Sequence, residues 1–365
     1  MPRTPVAILG ASGLVSQRMQ QRLCMHPWFT LVAVAGQDAG IRLSEIKWHL
    51  DEERPNFIDE CSIEVIDINS NNLAQELIEA GVTIVFSALP SQPALNIEKY
   101  LVESGLHVFS NASAYRMHPD VPLVVADVNP DALVNHSPER ALHACATNCT
   151  LIPILHPLSI LSKNHDIGKV IVRSEQALSG AGWKLLHNES LQANAIGQEI
   201  EGEAEKIIEE AERILSLENT EWDVQCLRVN EQDGHLVRVQ VHLNNRPSYD
   251  CIHSEFASMV IEHDSLLPSQ PRQPMLVTET EPRRDRHLWN GQTLEELKPS
   301  IDLKAGMTTT VQLKSVEDGV VDFTALSHNT IRGAAGGVVL LAELAYSNDL
   351  IPSVNINPTS SSSES

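Results

Sequence analysis

The sequence predicts an α/β chain in two parts, a parallel sheet of strand–helix–strand units followed by an α+β region. Two observations predict it. Short apolar runs alternate with helical patterns over the first 150 residues, which is the rhythm of βαβ units. After Cys149 the strands become longer and alternate in polarity, as strands with one buried face do. A length of 365 residues suits two domains of roughly 100–200 residues each. Aromatic residues make up only 4 %, so the core must be built from Ala, Val, Ile and Leu.

The first strand is Val6-Ala7-Ile8-Leu9, ended by Gly10, and a helical pattern then runs to about Met25. Phe29 to Ala35 reads as a second strand, Ile63 to Ile68 and Thr83 to Ala88 as two more, with a helix at Leu73–Ala80 between them. A helix near Ala94–Ser104 leads into the apolar run Leu106–Ser110. Ligands of such a sheet collect at the carboxyl ends of its strands, which singles out the loops after Leu9, Ala35, Ala88 and Ser110. Beyond Cys149 we expect a helix from Thr150 to Ser162, strands at Lys169–Ser174, Val224–Val229 and Leu236–Leu243, and an amphipathic helix at Glu201–Leu217. Asn329 to Tyr346 reads as a closing Ala/Leu-rich helix, and the tail NPTSSSSES as disordered. The expected divisions are 1–148, 149–327, a helix over 328–352 and a tail over 353–365.

Composition excludes several functions. The net charge of −22 argues against non-specific binding to nucleic acid or an anionic membrane. No apolar run is long enough to span a bilayer. The opening MPRTPVAILGASG passes straight into strand and turn, without a secretory apolar stretch, so a cytoplasmic protein is expected. Six cysteines are too few for a disulfide scaffold. Cys145 and Cys149 have only His143 as a nearby third ligand, so no metal site is expected.

Three motifs carry chemistry. Gly10-Ala-Ser-Gly13-Leu-Val-Ser16 lies between strand and helix, where free N–H groups attract an anion, although it lacks the third glycine of the G-x-G-x-x-G pattern. Cys149, in ATNC, precedes a helical run, and a helix N-terminus favours the thiolate. His235 follows a glycine and opens a strand; a Cys and a His distant in sequence are a pattern of thiol catalysis.

With these in place the chain resembles the aspartate-β-semialdehyde dehydrogenase family, in its compact archaeal and fungal branch. The resemblance spans residues 5–348 and rests on an ordered series: GASGLV, SNASAYRMHPDVPLVVADVNP, ATNC, QALSGAG, EGEAEK, RVNEQDGHLVRV and HNTIRGAAGG. It implies a Rossmann-like dinucleotide-binding domain, an α+β catalytic and dimerisation domain, and a C-terminal helix returning to the first domain. It also implies NADP or NAD as cofactor and a homodimer or homotetramer.

The implied reaction is reductive dephosphorylation of L-4-aspartyl phosphate to the semialdehyde through a cysteine thioester, in lysine, threonine, methionine and isoleucine biosynthesis. Cys149 matches the nucleophile, His235 the acid/base that also activates the thiol, and Gln176 the amide that holds substrate beside it. Arg228 matches the carboxylate clamp and Glu203 the ammonium acceptor, while Arg116 and Lys206 match the phosphate cations. Gly10, Ser12, Gly13, Leu14 and Val15 match the cofactor cradle, and Ser179, Gly180 and Asn329 the nicotinamide side. Gln37 and Asp38 stand where the family carries a basic 2′-phosphate loop. A carboxylate there repels a 2′-phosphate and accepts from a free ribose hydroxyl, so Asp38 shifts the expectation toward NAD unless Arg42 reaches back.

Ser16, and Trp183-Lys184 in place of a common Tyr-Pro, are further departures. Malonyl-CoA reductase is the nearest rival reading, disfavoured by the retained GEAEK segment. A catalytically silent dinucleotide-binding paralogue is a second, disfavoured by the intact Cys149, Gln176, Arg228 and His235.

Overall fold

The structure, a computed structural model, describes residues 3–134, 140–261, 267–290 and 292–351. The expected tail, 353–365, lies outside the described residues. Strands β1 (Thr4–Leu9), β2 (Phe29–Gly36), β3 (Val65–Asp67), β4 (Ile84–Ser87), β5 (His107–Ser110) and β6 (His143–Cys145) form a sheet in the order β3-β2-β1-β4-β5-β6. Every pairing in it is parallel. This is the doubly wound order whose direction reverses between β1 and β4, the crevice where such sheets take their ligands.

Alternation along β1 shows why both faces are covered. Val6 and Ile8 pack with Met19 and Leu23 of helix α1 (Leu14–Leu23). Ala7 and Leu9 pack with Leu73 and Leu77 of α2 (Leu73–Glu79) and Leu101 of α3 (Ser91–Glu103). A parallel sheet needs apolar residues on both sides because its crossover helices lie on both.

The second sheet joins β7 (Ile167–Gln176), β8 (Glu221–Arg228), β9 (His235–Leu243), β10 (Met275–Val277), β11 (Thr309–Glu317) and β12 (Val320–Ser327) in the order β10-β11-β12-β9-β7-β8. Its inner face, including Val172, Val239, Val241 and Phe323, is covered by α4 (Ile152–Asn164), α5 (Glu203–Leu215) and α6 (Tyr249–Ala257). The outer face carries polar pairs, Arg173 with Asp223, Arg238 with Glu175 and Gln240 with Asp322. It is the single buried face that alternation in β9 predicts.

The chain then returns to the first sheet. Val338, Val339, Leu341 and Ala345 of α7 (Gly336–Ser347) pack into the same core as Val6, Ile8 and Phe109. The expected helix does not begin as an α-helix. Ile331–Ala335 is a π-helical turn, in which the Gly333 and Ala335 N–H groups reach back five residues to the His328 and Thr330 carbonyls. Such turns recur at functional sites because they displace part of a helix by a fraction of a turn.

The strands β6, β10, β11 and β12 and helix α6 were not foreseen. Among the described residues no helix is long and apolar enough to cross a membrane.

Candidate active site

Cys149 occupies a turn made by its neighbours. The Asn148 side-chain oxygen accepts the Thr150 N–H at 2.7 Å, and the Leu151 N–H reaches the Asn148 carbonyl at 3.1 Å, so the chain reverses around the thiol before α4 begins. An asparagine closing its own turn two residues on does this without glycine. From the other side the π-helical turn presses on it. A Cβ at Gly333 would lie 2.6 Å from the Cys149 Cβ, so only glycine fits.

The imidazole of His235, fully buried at the start of β9, puts Nε2 3.4 Å from the Cys149 sulfur. Its other nitrogen, Nδ1, lies 3.1 Å from the Ala177 backbone nitrogen. A backbone N–H can only donate, so Nδ1 accepts and the neutral ring carries its proton on Nε2. That proton points at sulfur. Burial first, then the charges of Arg228 and Arg284, hold the His235 pKa well below its ordinary value. In this arrangement the neutral ring is a hydrogen-bond donor toward the sulfur.

Burial works against the thiolate that a position before a helix favours. Burial and the nearby Glu203 carboxylate push the Cys149 thiol up to about 11, against the opposing charges of Arg116 and Arg228. Cys149 lies three positions ahead of Ile152, the first residue of α4, and the helix dipole falls off within a turn. The other cysteines are free as well.

Further polar side chains surround this pair. Gln176, at the end of β7, donates to Glu203 Oε1 at 3.1 Å, and Asn148 donates to the same oxygen at 3.0 Å. Glu203 Oε2 faces Lys206 at 3.7 Å, three residues on along α5. Arg228, at the end of β8, donates to the Ala177 carbonyl at 2.7 Å, while burial lowers its pKa. Gly180 leaves room for both flanking groups, since a Cβ there would come within 3.0 Å of His235 and 3.1 Å of Arg228. Arg116 stands behind the nucleophile turn and binds Glu210 and the Asn111 carbonyl at 2.9 and 2.7 Å.

The dinucleotide cradle lies at the sheet's reversal point. Gly10 has φ +100°, and a Cβ there would meet the Ala88 carbonyl oxygen at 3.2 Å. No side chain caps α1, and Gln17 is the first residue whose N–H finds an intrahelical carbonyl, that of Gly13, at 2.9 Å. The N–H groups of Leu14, Val15 and Ser16 thus face out of the helix end, next to Ser12 and Gly13, as a pyrophosphate requires. Ser16 is buried and donates to the Ala11 carbonyl at 3.4 Å, so it fills the missing-glycine position without an orphaned hydroxyl. Gln37 and Asp38 directly follow β2, Gln37 exposed and Asp38 half-buried. The backbone of Arg42 forms an isolated antiparallel β-bridge with that of Glu64.

Asn329 is engaged differently from a free ligand. It donates to the Ser179 hydroxyl and accepts the Gly234 N–H, both at 2.8 Å, which fixes the turn before His235. Trp183 stacks on His49 with ring centres 4.6 Å apart. Sequence reasoning missed Asn148, Glu210 and Gly333. The Asn148 signal was present, since an Asx turn is readable in ATNC.

A dinucleotide-type sheet whose returning helix presses a half-buried thiol beside a buried imidazole defines a thiol-dependent oxidoreductase class. Residues 5–136 match the family model described as semialdehyde dehydrogenase, NAD binding domain. An aspartate-semialdehyde dehydrogenase of Archaeoglobus fulgidus is 32% identical, covering 96% of this chain and 100% of that protein. One of Aspergillus fumigatus is also 32% identical, over 94% of this chain and 97% of that one. Among solved structures, aspartate semialdehyde dehydrogenase with NADP from Candida albicans superposes with a TM-score of 0.77 at 27% identity, covering 96% of this chain and all of that one. The chain belongs to the aspartate-semialdehyde dehydrogenase family.

Proposed function

We propose that this protein interconverts L-4-aspartyl phosphate and L-aspartate 4-semialdehyde, with Cys149 as the covalent centre. The observation that carries the reading is the 3.4 Å pairing of the Cys149 sulfur with a histidine whose proton faces it. The residues at the reversal point of the first sheet suit a dinucleotide, with Gly10, Ser12, Gly13, Leu14 and Val15 along its phosphates. When bound, NADP or NAD accepts or supplies the hydride of the reaction.

The side chains divide the remaining work. In the oxidative direction the Cys149 thiol loses its proton to solvent and adds to the aldehyde carbonyl, giving a thiohemiacetal alkoxide. The His235 Nε2–H hydrogen-bonds first the thiolate and then that alkoxide, a neutral donor aimed at developing charge. Arg228 holds the substrate carboxylate with the guanidinium N–H groups not used by Ala177. Glu203 Oε2 accepts the substrate ammonium, and Gln176 positions the chain between them. Once hydride has left, phosphate held by Arg116 and Lys206 attacks the thioester, forming the acyl phosphate and returning the thiolate. Ser179, Gly180 and Asn329 shape the wall beside the reacting carbon.

The experiment measures NAD- and NADP-linked oxidation of aspartate semialdehyde with and without inorganic phosphate, alongside oxidation of the reduced cofactors by malonyl-CoA. Phosphate-dependent turnover is expected. Turnover with malonyl-CoA alone overturns the substrate assignment.

Two coarser properties join this reading. A cytoplasmic location is supported by the acidic composition and the free thiols. Assembly as a homodimer or homotetramer through the second sheet is carried over from the family the chain belongs to, and light scattering on the purified protein measures it.

A further inference from the structure

We propose that Glu210 is a positioning residue that couples the anion-binding guanidinium of Arg116 to the turn presenting Cys149. The inference rests on the proposed role of Arg116 in holding phosphate.

Glu203, Lys206, Glu210 and Arg213 follow one another at spacings of three, four and three along α5, which places them on one helical face. Glu210, two turns beyond Glu203, is only 2 % exposed. Its two oxygens are divided between two tasks. One accepts from Arg116 Nη1 at 2.9 Å. The other accepts from the Thr147 hydroxyl and the Asn148 N–H, each at 2.7 Å, and these are the two residues before Cys149. A single carboxylate thus fixes the cation and the nucleophile turn relative to each other.

The rest of the arrangement fits positioning better than mere charge cancellation. Arg116 Nη2 is held by the Asn111 carbonyl at 2.7 Å. Arg213 donates to the carbonyls of Arg116, His118 and Val121, closing the loop that carries Arg116. Of the five guanidinium N–H groups, Glu210 and Asn111 take one each. Arg116 Nε is buried without a partner among the described residues. The planar fork is therefore held at two points, with N–H groups left for an oxyanion.

The test compares wild type, Glu210→Gln and Thr147→Val. One readout is the KM for inorganic phosphate in aldehyde oxidation. The second, which needs no turnover, is the phosphate concentration that half-protects Cys149 from iodoacetamide. Glu210→Gln is expected to raise both phosphate values about tenfold or more, the effect of one charge-assisted hydrogen bond, with aldehyde KM moving less than about threefold. Thr147→Val loosens the nucleophile turn while keeping Arg116 held, so it should move both phosphate values less than about twofold but lower kcat about threefold or more, and an unchanged kcat overturns the coupling to that turn.

Phosphate values in Glu210→Gln within about twofold of wild type, or a parallel rise in both KM values, overturn the inference, because a merely structural ion pair acts on both alike. If Glu210→Gln does not fold, Glu210→Asp replaces it; the charge stays on a shorter arm, and the same selective rise in the phosphate values is required. A wild type inert toward the aldehyde but protected by phosphate refutes the proposed substrate, and the protection readout still decides the role of Glu210. A wild type in which phosphate alters neither readout removes Arg116 as an anion site and overturns the inference with it.

Discussion

At the scale of single residues, chemistry at this site turns on where one proton sits. Ala177 presents an N–H to His235 Nδ1 and a carbonyl to Arg228, so one residue's two peptide groups orient both the imidazole and the guanidinium. Because the ring donates from Nε2, a side chain that keeps an N–H there should keep part of the function. His235→Gln is expected to retain a kcat about tenfold or more above His235→Ala, and losing the donor altogether should cost about a hundredfold. Equal activity in the two variants would show that proton shuttling, not donation, is the role of His235. Both variants are read by steady-state kinetics with the aldehyde and phosphate. The candidate nucleophile is legible in ATNC, but the surroundings of its thiol are not. Position before a helix argued for a lowered pKa, whereas burial and Glu203, contributed from another helix, raise it to about 11. Sequence order carries no information on which distant carboxylate arrives beside a thiol.

At the scale of elements, the π-helical turn Ile331–Ala335 joins the two halves of the site. Thr330 just before it accepts from Arg18 of α1 at 3.3 Å, and Gly333 lies on Cys149. Gly333→Ala should lower kcat about a hundredfold, since its Cβ would meet backbone and Cβ atoms that cannot swing away. Wild-type kcat in that variant contradicts the packing. Arg332 anchors the same turn by pairing with Asp127, whose side chain is fully buried and lies 3.3 Å from His156 of α4. Burial alone would raise the Asp127 carboxyl, but Arg332 and His156 outweigh it and hold it far below the usual range.

The sign of its linkage to stability follows. A depressed folded pKa contributes stability that is fully present above the unfolded value of about 3.9 and is lost as pH falls through the folded value. Asp127→Asn, which strands a buried guanidinium, should cost about 3–5 kcal/mol in urea unfolding at neutral pH, and the gap to wild type should narrow below about pH 4. A gap that persists unchanged into acid contradicts the pairing. Elements were unevenly legible. The parallel strands of the first sheet stood out as short apolar runs, and β9 by the alternation of Val237, Val239 and Val241. The β11–β12 hairpin was missed although Asp318-Gly319, both with positive φ, is a strong turn signal. The alternation of Val311 and Leu313 breaks at a register shift between Leu313 and Ser315, which hides the strand's period in the sequence.

At the scale of the whole molecule, function follows from bringing a dinucleotide-type sheet and a second sheet together around one sulfur. The parallel sheet is legible from the alternation of strands and helices, whereas its strand order and the crevice at the reversal point come from the structure. Cofactor choice belongs to this scale because it is set at the far end of the first sheet from the thiol. Asp38 directly after β2 is expected to keep the NADPH-to-NADH ratio of kcat/KM below about a hundredfold, and Asp38→Ser should raise that ratio by removing a repelling charge. A ratio above about a hundredfold in the wild type contradicts that expectation.

Acylation of Cys149 is detected by mixing enzyme, aldehyde and oxidised cofactor without phosphate and following reduced cofactor within the first turnover. A burst of about one equivalent per Cys149 is expected, with a matching covalent adduct mapped to that residue by mass spectrometry, and neither in Cys149→Ser. A burst with no adduct on Cys149, or an undiminished burst in Cys149→Ser, would contradict it.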